Sequence, residues 1–179
     1  MKRAWLAIAM AALLSACGGQ SAGGGAEGAD GVDGTVYTVG ICQLMRHEAL
    51  DAATAGFADA LNQALPGKVR IQEKIAGEAV SCPTVINGFV SSGVDLILAN
   101  ATPALTAAAS ATDTVPILGT AVTAYGVALD LDGFDGTVGG NISGTSDLAD
   151  LSAQADMVTE WFPETKTVAL LFCSGEPNS

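Results

Sequence analysis

The sequence predicts an α/β fold in which a parallel sheet is covered by helices on both faces. Segments with apolar residues at helical spacing alternate along the chain with short segments rich in β-branched residues, which implies strands joined by helical crossovers. Apolar residues also make up 49% of the chain and charged residues 15%, a composition typical of a globular protein.

The first predicted elements follow the order βαβα. The segment TVYTVGICQ, residues 35–43, is rich in β-branched residues and predicts a strand. Residues 50–64 then carry apolar side chains at helical spacing, and Pro66–Gly67 ends that helix. Residues 68–74 alternate as a second strand, and a helix with Ser81 as its N-cap follows.

The next elements continue the same alternation. VDLILAN, residues 94–100, is a continuous apolar run typical of a central parallel strand. Thr102–Pro103 opens an Ala-rich helix that runs to about Thr112, and residues 115–122 predict a fourth strand. Residues 123–144 then interrupt the alternation with a Gly-rich segment that predicts irregular structure.

The stretch DLDGFDG inside this irregular segment allows two interpretations. One is a calcium-binding loop, but Asp130, Asp132 and Asp135 miss the alternation that such a loop requires. The twelfth position would also be Asn141 instead of a bidentate glutamate. A solvated acidic loop is therefore the favoured interpretation.

A further helix and strand are predicted after the irregular segment. An apolar stripe favours a helix that begins near Ser146 and ends at Pro163, and residues 167–173 predict a strand. One helix and one strand cannot cover both faces of a sheet, so roughly 100 further residues are expected and the chain is interpreted as part of a longer protein.

The N-terminus has the pattern of an export signal. Lys2 and Arg3 precede a short apolar run, and Leu14-Ser15-Ala16-Cys17 resembles the lipobox of bacterial lipoproteins, with Cys17 as the lipidated residue. A plain signal peptide with a chance cysteine is the alternative. The first interpretation predicts an extracytoplasmic protein that the lipid on Cys17 anchors to the cell membrane.

Domain boundaries follow from these elements and from composition. Residues 18–34 are Gly-rich and acidic, which is typical of a flexible tether. The expected organisation is a signal segment at 1–17, a linker at 18–34, an α/β lobe at 35–123, a crossover segment at 124–145 and the start of a second lobe at 146–179.

Charge and cysteine usage exclude several kinds of site. The net charge is -12, and the few basic residues beyond the N-terminus form no cationic cluster, so no nucleic-acid partner is predicted. Cys42, Cys82 and Cys173 are an odd number, which leaves at least one thiol free. The absence of CxxC and of Cys/His spacing argues against zinc or redox chemistry, and no cofactor is predicted.

Candidate ligand contacts lie after the predicted strands, because open parallel sheets bind ligands at the carboxyl ends of their strands. Thr102 begins a helix whose N–H groups could bind a carboxylate, or it could simply cap that helix. His47 is interpreted as a helix-start residue or a ligand contact, since no third metal ligand accompanies it and Asp51. The sequence shows no nucleophile–base pair, which argues against an enzyme, and no catalytic residue is predicted.

Several segments together resemble one family. VGICQLMRHEALDAATAGFADAL, VDLILANATPALTAAA, VPILGTAVT, GGNISGTSD and SGEPNS occur in the order found in substrate-binding lipoproteins of ABC transporters of the tryptophan/tyrosine type. The resemblance covers most of residues 36–179.

The resemblance implies two Rossmann-like α/β lobes that close on a small ligand, as in type I periplasmic binding proteins. It implies an amino acid as the ligand, with aromatic amino acids among the candidates, and an ABC permease as the partner. A helix N-terminus and hydroxyl groups would hold the carboxylate, and a glutamate the ammonium group. The implied contacts are Gln43, Thr102, Thr123, Glu176, Asn178 and Ser179.

The sequence departs from the family at one site. The usual V-T-D-P segment is replaced by Val122-Thr123-Ala124-Tyr125, and Tyr125 could stack on a ligand or simply pack. A sensor domain of the same fold is an alternative to a transport protein, and an α/β enzyme is a less favoured third. Residues 1–179 alone are expected to bind ligand very weakly, because most of one wall of the cleft would be missing.

Overall fold

The computed structural model describes residues 34–172 and shows one five-stranded sheet with strand order β2-β1-β3-β4-β5. All neighbouring strands are parallel, as the sequence predicted. The strands are β1 Tyr37–Gln43, β2 Val69–Ile75, β3 Leu96–Asn100, β4 Ile117–Val122 and β5 Ile142–Ser146. The α-helices are α1 Glu48–Ala64, α2 Cys82–Ser92, α3 Thr102–Ala111, α4 Tyr125–Ala128 and α5 Leu151–Trp161.

Helices cover both faces of the sheet, as predicted. Side chains alternate between the faces along a strand, so Gln43 and Gly40 of β1 point in opposite directions. Gln43 bonds to Thr54 of α1, whereas Gly40 lies against the Phe89 ring of α2. Helices α2 and α3 pack together on the second face over a core of fully buried apolar residues that includes Ile97, Leu105 and Ile117.

The segment 123–144 is more ordered than predicted. It contains α4 and the start of β5, which pairs with β4 from Ile117↔Ile142 to Val122↔Ser146. Strand β5 has the polar sequence ISGTS and lies at the edge of the sheet, so it carries none of the apolar alternation that identifies a strand from sequence. The acidic loop before it is exposed at Asp132 and Asp135, as expected of a solvated loop.

Helix α5 begins later than predicted. Ser146 belongs to β5, and its hydroxyl donates to the Thr123 carbonyl at 2.8 Å. Asp150 caps α5 instead, because its carboxylate accepts from the Ala153 N–H at 3.0 Å.

The prediction of a strand at residues 167–173 is wrong for residues 167–172, which the structure describes. Residues 167–172 form no strand, and Leu170 and Leu171 are exposed. A strand requires a neighbour for its backbone hydrogen bonds, and no strand among residues 34–172 pairs with this run. Its last residue, Cys173, lies outside the described residues.

The predicted signal segment, the lipobox with Cys17 and nearly all of the 18–34 linker also lie outside the described residues. Among residues 34–172, no helix has both the length and the apolar character needed to cross a bilayer.

Candidate functional site

The carboxyl ends of β1, β3 and β4 are neighbours at one edge of the sheet. Gln43 pairs with Asn100, and Asn100 pairs with Thr120. The Leu44 N–H also donates to the Asn100 carbonyl at 3.2 Å, which holds the loop after β1 against β3. The topology therefore brings the loops that contain the predicted contacts of the first lobe to one edge.

Gln43 is fully buried at this edge and its amide is engaged within the protein. Its Nε2 donates to the Met45 carbonyl at 2.8 Å and to Asp51 Oδ1 at 2.6 Å. Its Oε1 accepts from the Thr54 hydroxyl at 2.7 Å. In this arrangement the Gln43 side chain fixes the loop after β1 to the first turns of α1.

Asn100 extends this network and has one unmet hydrogen-bonding group. Its Nδ2 donates to the Leu50 carbonyl at 2.8 Å and to the Thr54 hydroxyl at 2.9 Å. Its Oδ1 is buried and has no hydrogen-bond partner within the described residues. A buried acceptor without a partner lowers the stability of the folded state by about 1–3 kcal/mol. Native proteins therefore retain such a group only where other interactions offset this loss or where the group has a function.

Ala101 connects Asn100 to α3 through an unusual backbone conformation. Its φ of 97° and ψ of 156° lie in a region that favours glycine. The strain directs the chain from β3 into α3, whose N-terminus carries partial positive charge. The sequence marks residues 100–104 as a candidate loop after a strand but predicts no individual role for Asn100 or Ala101, although a polar residue at the end of an apolar strand is a visible signal for Asn100.

Thr102 is the first residue of α3, and Ala101 occupies the N-cap position. Thr102 is therefore not the cap of its helix, which was one interpretation of the sequence. It is 2% exposed, it has polar interactions within the protein, and its carbonyl accepts from Thr106 at 3.1 Å. Together with Pro83 of α2 it lines a groove of about 410 Å³.

Thr123 follows β4 and lines a larger cleft of about 1010 Å³. The α4 region, the loop after it and β5 form this cleft, with Leu131, Val138 and Ile142 among its apolar walls. Thr102 and Thr123 therefore share an edge of the sheet but line different grooves in the described part of the chain.

Tyr125 packs into the fold. It is 6% exposed, its ring lies against Gly119, and its hydroxyl donates to the Thr145 carbonyl at 3.2 Å. Burial raises the pKa of Tyr125, and the charge of Asp147 raises it further. Of the two roles that the sequence allowed for Tyr125, the structure supports packing.

The structure also explains what the usual V-T-D-P segment would do at these positions. Ala124 is the N-cap of α4 and Tyr125 is its first residue. Aspartate and proline are favoured at these two positions, because an N-cap carboxylate accepts from backbone N–H groups and proline fits the first turn. An Asp-Pro pair there would start a helix, a role that does not require a ligand.

His47 is the N-cap of α1, which confirms the helix-start interpretation. Its Nδ1 accepts from the Ala49 N–H at 3.2 Å. The nearby Arg46 and Asp51 approach to 3.6 Å as an exposed ion pair. The remaining predicted contacts, Glu176, Asn178 and Ser179, lie outside the described residues.

Comparison with known proteins gives the family. The family described as ABC transporter substrate binding protein matches residues 38–179. A protein from Clostridioides difficile (strain R20291) named tyrosine-binding protein is 34% identical over 148 residues, which are 79% of this chain and 42% of that protein.

Two solved structures have a similar fold. A conserved domain protein from Vibrio cholerae has a TM-score of 0.72 at 30% identity, over 80% of this chain and 50% of that one. An ABC domain from Streptococcus pneumoniae in complex with L-Trp has a TM-score of 0.71 at 29% identity, with the same coverage of 80% and 50%. The chain spans half or less of the length of these relatives. The chain belongs to the ABC transporter substrate-binding protein family.

Proposed function

We propose that this protein is an extracytoplasmic solute-binding protein that captures an aromatic amino acid and delivers it to an ABC permease. The observation that carries the proposal is that two relatives, one named for tyrosine and one holding L-Trp, each match about four-fifths of the chain, 79% and 80%. The sheet edge with its α3 N-terminus is a suitable place for the carboxylate of such a ligand.

The proposed architecture is two lobes with the ligand between them. Residues 35–123 form most of the first lobe, β5 at the end of the predicted crossover segment 124–145 completes its sheet, and the chain after Asp147 leads to the second lobe. The lipid on Cys17 holds the protein at the membrane, and residues 18–34 tether it. Closure of the cleft is driven by a ligand that binds the closed state better than the open one.

Each predicted contact has a proposed part in binding. The N-terminus of α3 at Thr102 faces the carboxylate, Thr123 contacts the ligand from the adjacent loop after β4, and Glu176 pairs with the ammonium group. Asn178 and Ser179 complete the polar contacts from the second lobe. Gln43 acts at the cleft through the loop that it fixes, since its amide bonds are made within the protein.

Isothermal titration calorimetry of the full-length protein tests this proposal. We expect heat with L-Trp or L-Tyr and none with L-Ala or L-Lys, and we expect the ligand to be recovered unchanged. Binding of none of these amino acids, or conversion of the ligand to a product, would contradict the proposal.

A pair of variants tests the ammonium contact. Glu176→Ala should weaken binding by about tenfold to a hundredfold, because loss of a charge-assisted hydrogen bond costs about 1.5–3 kcal/mol. Glu164→Ala removes the same charge from an exposed turn and serves as the matched control. Equal affinities for the two variants would remove Glu176 from the site.

A further inference from the structure

Two buried cysteines from distant parts of the sequence meet in the core of the sheet. Cys42 lies on β1 and points to the face that α2 covers, and Cys82 is the first residue of α2. Both side chains are 0% exposed and belong to the same apolar cluster. The Cys82 thiol approaches the Glu78 carbonyl at 3.9 Å. Burial raises the pKa of Cys42, and Cys82 adds to that rise, as expected of thiols that are neighbours in one cluster.

We propose that Cys42 and Cys82 form a disulfide bond in the mature protein. Sequence reasoning found no redox chemistry because the two cysteines are far apart in the chain and belong to no recognisable motif. The structure places both side chains in one buried cluster, which the sequence could not show. The proposal rests on the extracytoplasmic location proposed above, since disulfides form and persist in oxidising compartments.

The chemistry requires an electron acceptor, which is the disulfide of an extracytoplasmic thiol–disulfide oxidoreductase. The thiolate of one cysteine attacks that disulfide and forms a mixed disulfide, and the other cysteine then attacks the mixed disulfide. Cys42 and Cys82 lose two protons and two electrons in total, and the oxidoreductase leaves with both of its sulfurs as thiols.

Burial determines when this exchange can take place. Burial, and to a smaller extent the neighbouring Cys82, raise the pKa of Cys42 to about 12, so little thiolate exists once the core has formed. Exchange therefore belongs to folding, before α2 covers β1. The completed bond is then shielded from reductants by the same burial.

The bond would close a loop that contains α1 and β2. It would fix the start of α2 to β1 next to Gln43, on the opposite face of the sheet from α1. A loop of this size restricts the unfolded chain substantially, so the oxidised protein should melt on the order of 10 °C above the reduced one.

Peptide mapping provides the test. The full chain is secreted, purified without reductant, denatured and treated with N-ethylmaleimide before digestion. We expect a cross-linked peptide pair that contains Cys42 and Cys82, and an alkylated Cys173. Complete alkylation of both cysteines, or a cross-link from either to Cys173, would overturn the proposal.

Thermal melting gives a second, independent result. Dithiothreitol, added during refolding of denatured protein, should lower the melting temperature of the wild type and of the matched control Cys173→Ala. It should leave Cys42→Ala/Cys82→Ala unchanged. If that double variant does not fold, the peptide mapping of the wild type still shows whether the disulfide bond is present. Neither measurement uses an amino-acid ligand, so failure here is distinct from failure of the proposed function.

Discussion

Thr54 links the ends of β1 and β3 through a single hydroxyl group. That hydroxyl donates to Gln43 Oε1 and accepts from Asn100 Nδ2, and the residue is 5% exposed. Thr54→Val keeps the shape of the side chain but leaves both partners short of a hydrogen bond. We expect a loss of about 1–3 kcal/mol in the free energy of unfolding, measured by urea denaturation.

Thr159 provides the matched control for this substitution. Its hydroxyl donates to the Asp156 carbonyl on an exposed helix. Thr159→Val should change the free energy of unfolding by less than about 0.5 kcal/mol. Equal effects of the two substitutions would show that the buried network does not stabilise this edge.

The buried thiols give the reduced protein a distinctive dependence on pH. Burial and then Cys82 raise the pKa of Cys42 from 9.0 to about 12, so the unfolded chain loses its proton first as the pH rises. The stability from this group is complete below pH 9 and declines between pH 9 and about 12, by up to about 1.4 kcal/mol per pH unit. Urea titrations at several pH values measure this decline.

The oxidised protein is the control, because a disulfide has no thiol proton to lose. Its decline should be smaller and should come mainly from Tyr125, whose raised pKa acts in the same direction. Tyr125→Phe in the oxidised protein should remove the part of the decline in stability that comes from this tyrosine. Identical pH profiles for reduced and oxidised protein would contradict the assignment to the thiols.

Strand β1 and helix α2 pack so closely that one position tolerates no side chain. A Cβ at Gly40 would lie 2.7 Å from the ring of Phe89. Gly40→Ala should therefore reduce the free energy of unfolding by about 1–3 kcal/mol. Phe89→Leu in the same chain should recover part of that loss, as a double-mutant cycle would show.

Gly56 of α1 is a matched glycine with the opposite expectation. A Cβ there meets nothing within 4 Å, and the residue lies inside a helix. Gly56→Ala should raise the free energy of unfolding by about 0.5–1 kcal/mol. A loss at Gly56 as large as that at Gly40 would refute the steric explanation.

The elements that the sequence predicted well are those whose pattern is local. The strands β1 to β4 and the helices α1 to α3 each carry their own periodicity, so their existence and order could be read from the chain. Strand β5 could not, because its pairing depends on contact with β4. Gly144 approaches Gly119 of that strand so closely that a Cβ would collide with its backbone.

The same distinction applies to the candidate site. The positions of Gln43, Thr102 and Thr123 at one edge followed from a topological rule about parallel sheets. The unmet oxygen of Asn100 and the strained backbone of Ala101 did not, because they depend on side-chain packing and backbone angles. The packed position of Tyr125 likewise required the location of its neighbours.

Trp161 reports on the environment of α5 in the whole molecule. It is 67% exposed, and the other tryptophan, Trp5, lies in the segment that signal cleavage would remove. The fluorescence of residues 18–179 should therefore be red-shifted and readily quenched by acrylamide. A blue-shifted, protected emission would show that α5 is covered in solution, which light scattering could assign to a second copy.

The pairing of β5 with β4 determines where the proposed closing motion can occur. Ser146 pairs with Val122, and the Asp147 N–H donates to the Val122 carbonyl at 3.2 Å, so the chain moves with the first sheet up to that point. Helix α5 starts anew at its Asp150 cap and has no buried residue in the described structure. If α5 belongs to the second lobe, as the proposed architecture has it, a hinge on this passage would use the backbone torsions of residues 148–149. A linker of two residues allows one lobe to rotate relative to the other but allows little translation between them. We therefore expect the lobes to close as rigid bodies.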